Sequence, residues 1–370
     1  MKQSLKSEIT TILHTTPIVT NLARKNALSL IILAMIQLRK VQFCELATVL
    51  NPTAKTASNI NRIEDFFREV DLNFAAHATL MLSLLPKNKK LRLTIDRTEW
   101  DFGQCQVNIL MVLVGNSDLQ LPLYWEMLDN KSGNSNSQDR IDLLEKCFAV
   151  LDTKRVGLVV GDREFVGHKW IKYLKDNNLP FVMRFPKHHT FTLEDGQVRC
   201  LDDLKLAIGA AYSVKSCQVD GCWGGVWIKR LDESEYLYLM GSVEVAHLGS
   251  LYRKRWSIEA FFQQIKRRGF DLESTHLRCF EKLSKLVAVV SLAYAFCLSF
   301  GLYVHEKVQS IKKKNHGYKA NSFARHGLNL WRELMSHTAA SAHPLWAKVE
   351  RLIVWLKRQL THNQATILAG

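Results

Sequence analysis

Leu91-Arg-Leu-Thr-Ile-Asp96 and Val156-Gly-Leu-Val-Val-Gly-Asp162 are the two stretches on which the fold turns. Each is a short β-rich run that ends on a carboxylate. Residues 107–114 and 121–127 form two further β-rich runs, split by polar turns at 101–104 and 115–118, so the first three runs read as consecutive antiparallel strands. Residues 140–151 have helical character. After the buried strand 156–160 come a helix over 169–175 and a strand over 181–184. The order β-β-β-α-β-α-β makes an α/β domain with a mixed sheet. In such a sheet the first and fourth strands lie side by side, which brings Asp96 and Asp162 to adjacent strand ends where they can share a cation.

That element order is the order of the ribonuclease H-like fold. Beyond it, strand-like pieces at 212–219, 225–230 and 236–240 lie between turns such as Glu194-Asp195-Gly196 and Asp220-Gly221, and read as a β insertion over 186–250. Helical periodicity returns at Tyr252 and continues through most of the C-terminal third. Residues 1–88 also read as helical, with apolar helices at 27–37 and 43–50 and the turn Asn51-Pro52-Thr53 opening a third. The first turns of that third helix offer Lys55, Asn59 and Arg62 to phosphates or base edges, above Ile60, Ile63, Phe66 and Phe67. A DNA-binding module has this pattern, and so does a plain three-helix bundle. The expected organisation is a helical DNA-binding region (1–88), a catalytic core (89–185 and 251–300), the insertion, and a basic helical region (301–370) for DNA contacts or dimerisation.

Charge supports a polyanionic partner. The 370 residues carry 50 Lys plus Arg against 35 Asp plus Glu. Residues 1–92 are net +7 and residues 251–370 net +13, which leaves −5 for the stretch between. Basic flanks around an acidic middle suit phosphate binding at the edges and cation binding at the centre. The eight cysteines are scattered without metal-ligand spacing, and no apolar leader follows Lys2 and Lys6, so a reduced, cytoplasmic, nucleoid-associated protein is expected. Residues 286–304 lack charge, but Ser291, Ser299 and Gly301 interrupt them, which favours a buried core helix over a membrane span. No Walker A, GxGxxG or HExxH pattern is present, which removes support for ATP-driven, dinucleotide and zinc-protease chemistry.

Tyr252, Arg255, Glu259 and Lys266 are spaced by 3, 4 and 7 residues, so on a regular helix they share one face. Phosphoryl transfer needs carboxylates for divalent metal and donors for the neighbouring phosphates. Asp96, Asp162 and Glu259 supply the former, and Tyr252, Arg255 and Lys266 the latter. An exposed helix face with an Arg255–Glu259 ion pair has the same spacing.

The tetrad Tyr252-x2-Arg255-x3-Glu259-x6-Lys266 resembles the YREK signature of bacterial cut-and-paste transposases of the insertion-sequence-four family. Thr94-Ile-Asp96-Arg-Thr-Glu-Trp100 and Gly161-Asp162-Arg-Glu-Phe165 are similar to that family's motifs around its first and second catalytic Asp. The resemblance covers roughly residues 90–270. It implies a ribonuclease H-like DDE core holding two Mg2+ ions, or Mn2+ in their place, through Asp96, Asp162 and Glu259. It also implies cleavage at transposon ends through a hairpin, strand transfer into target DNA, a homodimer on DNA, and a base-stacking aromatic at Tyr236, with Trp223 and Trp227 nearby. For dimerisation the sequence offers Leu334, Leu345, Trp346, Leu352, Ile353 and Leu356, which serve a monomer's core equally well. A related nuclease without strand transfer needs only the three carboxylates, and a regulator that binds transposon ends needs none.

Overall fold

The computed structural model describes residues 9–102, 105–116, 119–128, 133–315 and 317–336, together with 347, 350–352 and 354. The chain forms two compact units. One comprises residues 88–101 and 106–259; the other comprises 1–87, 102–105 and 260–370.

The first unit is built on a mixed sheet of β1 (Leu91–Phe102), β2 (Cys105–Asn116), β3 (Leu119–Met127), β4 (Val156–Gly161), β5 (Phe181–Phe185), β6 (Phe191–Leu193), β7 (Val198–Arg199), β8 (Ala211–Val219), β9 (Cys222–Arg230) and β10 (Tyr236–Gly241). Their order across the sheet is β3-β2-β1-β4-β5-β10-β9-β8-β6-β7. β1 runs parallel to β4, with Leu91 opposite Val156 and Thr94 opposite Val160, and β4 runs parallel to β5. Central parallel strands are covered on both faces, so β4 reads as an unbroken apolar run, and Val159 and Val160 are fully buried. Pro122 is tolerated because β3 lies at the sheet edge.

This is the expected ribonuclease H-like α/β arrangement, with helices Ser137–Phe148 and His168–Asp176 accompanying the strands. The first of these starts at a capping box, in which the Asn136 side chain accepts from the backbone and Asp139 reaches back to the Asn136 N–H. It buries Leu143, Leu144 and Cys147. The β insertion extends the same sheet, since β10 pairs antiparallel with β5 and brings Tyr238 opposite Phe185.

Asp96 does not end its strand. Pairing with β4 stops at Thr94, and β1 then continues to Phe102 beside β2. The alternation of charged residues after Asp96 resembles a turn, yet it is the pattern of a strand with one solvated face.

The second unit contains helices Leu22–Leu38, Phe43–Leu50, Thr56–Glu69, Phe74–Ser83, Phe280–Lys307 and Phe323–Ser336. The first starts at Leu22, ahead of its apolar pattern, because the Asn21 side chain accepts from the Ala23 N–H at 2.7 Å. Phe280–Lys307 is long and apolar enough to cross a membrane, but 89% of its most apolar window is buried inside the protein. It crosses Phe323–Ser336 at Gly301 and Gly327, where Trp331 Nε1 also donates to the Phe296 carbonyl at 3.3 Å. Between these two helices the expected helical pattern fails, and the chain forms a small hairpin bridged from Lys313 to Lys319. Leu334 and Leu352 are fully buried within one copy; Leu345, Trp346, Ile353 and Leu356 lie outside the described residues. Cys217 and Cys222 are free thiols.

Candidate active site

Asp96 on β1 and Asp162, directly after β4, come together with Tyr252, Arg255 and Glu259 in the sheet unit. Each Asp is held by the chain that follows it: the Arg97 N–H donates to Asp96 and the Arg163 N–H to Asp162, both at 2.8 Å. Gly161 lets the chain leave β4 closely packed, because a Cβ there would stand 2.8 Å from both Phe165 Cβ and Met183 Sδ. The Arg255 guanidinium bridges all three acids. Its Nη1 lies 2.7 Å from Asp96 Oδ2, and its Nη2 lies 3.5 Å from Asp162 Oδ2 and bonds Glu259. Tyr252 Oη donates to Asp162 at 2.8 Å, and Arg255 lies 5.6 Å above the Tyr252 ring.

Electrostatics separate the two aspartates. Burial pushes the Asp96 carboxyl up to about 6, against the pull of Arg255. Burial also opposes ionisation of Asp162, but Arg255, the Arg163 N–H and the Tyr252 hydroxyl outweigh it and hold that carboxyl below its ordinary range. The Tyr252 phenol is raised, chiefly by burial and then by the adjacent Asp162 charge. With the Arg255 guanidinium bridging them, Asp96, Asp162 and Glu259 are not arranged to hold a metal ion as they stand, and neither are any other three of His, Cys, Asp and Glu among the described residues, so metal binding would require the carboxylates to turn from Arg255. The donor set itself, three hard carboxylates directed at one cationic group, is of the kind Mg2+ takes.

The tetrad does not lie on one uninterrupted helix. Leu248–Tyr252 is α-helical, Arg253–Arg255 tightens to a 3-10 turn, Trp256–Gln263 is α-helical again, and Gln264–Arg268 widens to a π-type turn with Lys266 outside helical geometry (φ −74°, ψ −106°). Lys266 belongs to the helical unit, where its ammonium pairs with Glu273 at 3.0 Å. Counting 100° per residue assumes a regular helix, and the local 3-10 and π turns break that assumption.

Three arginines around the acids have supporting roles that the motif spacing did not reveal. Arg97 Nε bonds Glu164 at 3.0 Å, tying β1 to the turn after β4, and Glu164 accepts from the Ser135 N–H and hydroxyl at 2.8 Å. Arg140 Nε donates to that same Ser135 hydroxyl at 2.9 Å. Arg184 on β5 approaches Asp162 at 3.9 Å while holding Glu235 at 2.7 Å. The only signal for Arg97 and Glu164 was their adjacency to the two aspartates.

The remaining candidates are dispersed. Tyr236 opens β10, half-buried under the Arg230 guanidinium at 5.8 Å. Trp227 packs on the core cluster of Val160, Val182 and Leu248, whereas Trp223 is exposed. Trp256, beside Arg255, is 62% exposed and was passed over in the sequence. Lys55 and Arg62 are exposed on and beside helix Thr56–Glu69. Asn59 is not: at 2% exposure its amide donates to the Ala47 and Asn51 carbonyls at 3.0 and 2.9 Å, fastening the turn between two helices. Asn59→Ala is therefore expected to cost about 1–3 kcal/mol, because it leaves buried carbonyls unpaired, without changing the salt dependence of DNA binding. Arg62→Ala should lower that salt slope by about one unit with little effect on stability. Thermal melts and salt titrations of the two variants check both statements.

Residues 118–296 match the family model described as a transposase DDE domain. Asp162, Tyr252, Arg255 and Glu259 fall inside the match, and Asp96 precedes it. No curated protein matches the chain. Among solved structures, the chain is similar to one in a cryo-EM structure of a piggyBac transposase synaptic complex with hairpin DNA, at 12% identity and a TM-score of 0.45, over 97% of this chain and 82% of that one.

Proposed function

We propose that the protein is a cut-and-paste DNA transposase of the insertion-sequence-four type. The observation that carries this reading is the meeting of Asp96, Asp162 and Glu259 at one guanidinium, in a chain whose residues 118–296 match a transposase DDE domain. Asp96, Asp162 and Glu259 would hold two Mg2+ ions, with Mn2+ as a substitute, and the bound metal supplies Lewis-acid activation of the attacking oxygen and stabilises the leaving oxygen of an in-line displacement.

The chain's own groups position the rest. Tyr252 fixes Asp162 through its hydroxyl. Arg255 and Lys266 bind phosphates beside the reacting one, Lys55 and Arg62 bind the terminal inverted repeat, and Tyr236 stacks on an unpaired base near the cut. Hydrolysis at the transposon end frees a 3′-OH, which attacks the phosphodiester of the opposite strand, closing a hairpin on the transposon end and releasing the flanking DNA with its own 3′-OH. Water reopens the hairpin, and the same 3′-OH then joins target DNA. Two copies act together on paired ends, each cutting the end bound mainly by its partner. The setting is the bacterial nucleoid.

Tyr252→Phe keeps the ring and removes the hydrogen bond to Asp162. Groups that orient metal ligands typically change activity by about 10–100-fold, so cleavage should fall by roughly tenfold or more with end binding unchanged. A duplex taken from the DNA that flanks the reading frame tests the pathway as a whole. A hairpin product on a denaturing gel supports strand transfer, whereas nicked strands that never close would reduce the protein to a nuclease. Mixing Glu259→Ala protein with a variant that has lost end binding and is inactive alone tests action in trans: regained cleavage supports it, and continued inactivity of a mixture that pairs ends counts against it.

A further inference from the structure

Residues 307–332 contain seven basic residues and no acidic one. Two of the seven are committed to the fold: Arg325 donates to the Arg268 carbonyl at 2.8 Å and Arg332 to the Gln37 carbonyl at 3.1 Å. Three others, Lys312, Lys313 and Lys314, stand exposed in a row, and the ion pairs of the described residues include none of them.

The backbone that carries this row is hydrogen-bonded across a hairpin. The Lys314 N–H donates to the Tyr318 carbonyl at 2.9 Å, the Ala320 N–H to Lys312 at 2.8 Å, and the Gly317 N–H closes the turn onto Lys314 at 2.8 Å. Gly317 adopts φ +83°, a conformation that favours glycine. At the base of the hairpin Ile311 is buried, and its N–H donates to His305 Nδ1 at 2.8 Å. On the returning arm the Lys319 ammonium sits 3.9 Å over the Phe323 ring, and Tyr318 is 75% exposed. A run of lysines repels itself and ordinarily favours an open, solvated loop. Here the fold holds the run together on an anchored two-stranded hairpin.

We propose that this hairpin is a sequence-independent binding element for the phosphate backbone of duplex DNA. Lysine is a compact point charge suited to phosphate, and contacts to phosphate fix position without reading sequence. Because the hairpin's cross-strand hydrogen bonds are made without DNA, binding does not have to form them. The proposal rests on the reading of the protein as DNA-acting, and deepens it by adding a contact that serves terminal and target duplex alike.

The test compares the full chain with the triple variant Lys312→Gln, Lys313→Gln, Lys314→Gln. A control triple of equal charge change, Lys146→Gln, Lys169→Gln, Lys172→Gln, removes exposed lysines whose ammonium groups are engaged by Glu126, Gln138 and Asp176. Binding to a random-sequence duplex and to a duplex with the terminal repeat is followed by fluorescence anisotropy between 50 and 200 mM salt. Each lost phosphate contact lowers the salt slope by about 0.9. The expected result is a slope reduced by about 2 to 3 for the hairpin variant on both duplexes, with the control close to wild type. An unaltered slope, an equal loss in the control, or a loss confined to the terminal repeat would overturn the proposal. Wild-type protein that binds neither duplex would instead sink the DNA-acting reading itself.

Discussion

Asp162→Ala will abolish metal-dependent DNA cleavage while leaving DNA binding at wild-type strength. Asp162 accepts from the Arg163 N–H and the Tyr252 hydroxyl and faces the guanidinium of Arg255, and its carboxyl is held ionised below the ordinary range by those neighbours. In the proposed site, a carboxylate held below its ordinary range and fixed in orientation would give a hard cation the charge it needs. Removing one member of a catalytic unit costs on the order of 10^4-fold or more in rate. DNA binding should not fall, because a carboxylate repels phosphate. Single-turnover cleavage and equilibrium binding, measured on the same preparation, check the pair of statements. Cleavage within tenfold of wild type would remove Asp162 from the catalytic set, and a parallel loss of binding would point to a structural role.

Gly327→Val will destabilise the helical unit more than any exposed substitution on the same helix. An added Cβ at Gly327 would stand 1.8 Å from the Cys297 carbonyl oxygen and 2.7 Å from the Gly301 N–H, and one at Gly301 would stand 1.9 Å from the Phe323 carbonyl oxygen. All of these neighbours are backbone, so no side chain can turn aside. The two helices would have to separate, and the buried contact of Phe300 with Trp331, centroids 5.1 Å apart, would loosen. Overpacking usually costs about 1–3 kcal/mol, and this site belongs at or above the upper end. Asn329→Val, on an exposed position of the same helix, should stay within about 0.5 kcal/mol. Thermal unfolding compares them, and equal melting temperatures would mean that the helix crossing is not close-packed there.

The parts that the sequence disclosed best are those governed by local pattern. The apolar run 156–160, the Asp220-Gly221 turn and the apolar helix 43–50 each carry a period or a turn residue that does not depend on distant contacts. The meeting of Asp96 and Asp162 was legible from element order, which makes β1 and β4 neighbours. What escaped depends on tertiary context. Asn59 looks like a surface polar residue of an amphipathic helix, but two carbonyls of the preceding helix and turn, those of Ala47 and Asn51, need its amide donors. Lys266 falls out of helical geometry at a widened turn that no period shows. Arg97, Glu164 and Arg184 pair across strands distant in sequence. The lysine run at 312–314 gave its charge away but not its hairpin.

The central claim is that Asp96, Asp162 and Glu259 form one metal-dependent cleavage site for DNA. It is tested most directly by single-turnover cleavage of an end-labelled duplex taken from the DNA that flanks the reading frame, with Mg2+ titrated from zero and wild-type protein compared with the three single Ala variants. The account predicts strand cleavage at the transposon end that rises with Mg2+, stops on chelation, and is lost in all three variants alike. Cleavage that persists without divalent metal, or that survives in any one of the three variants, would contradict it.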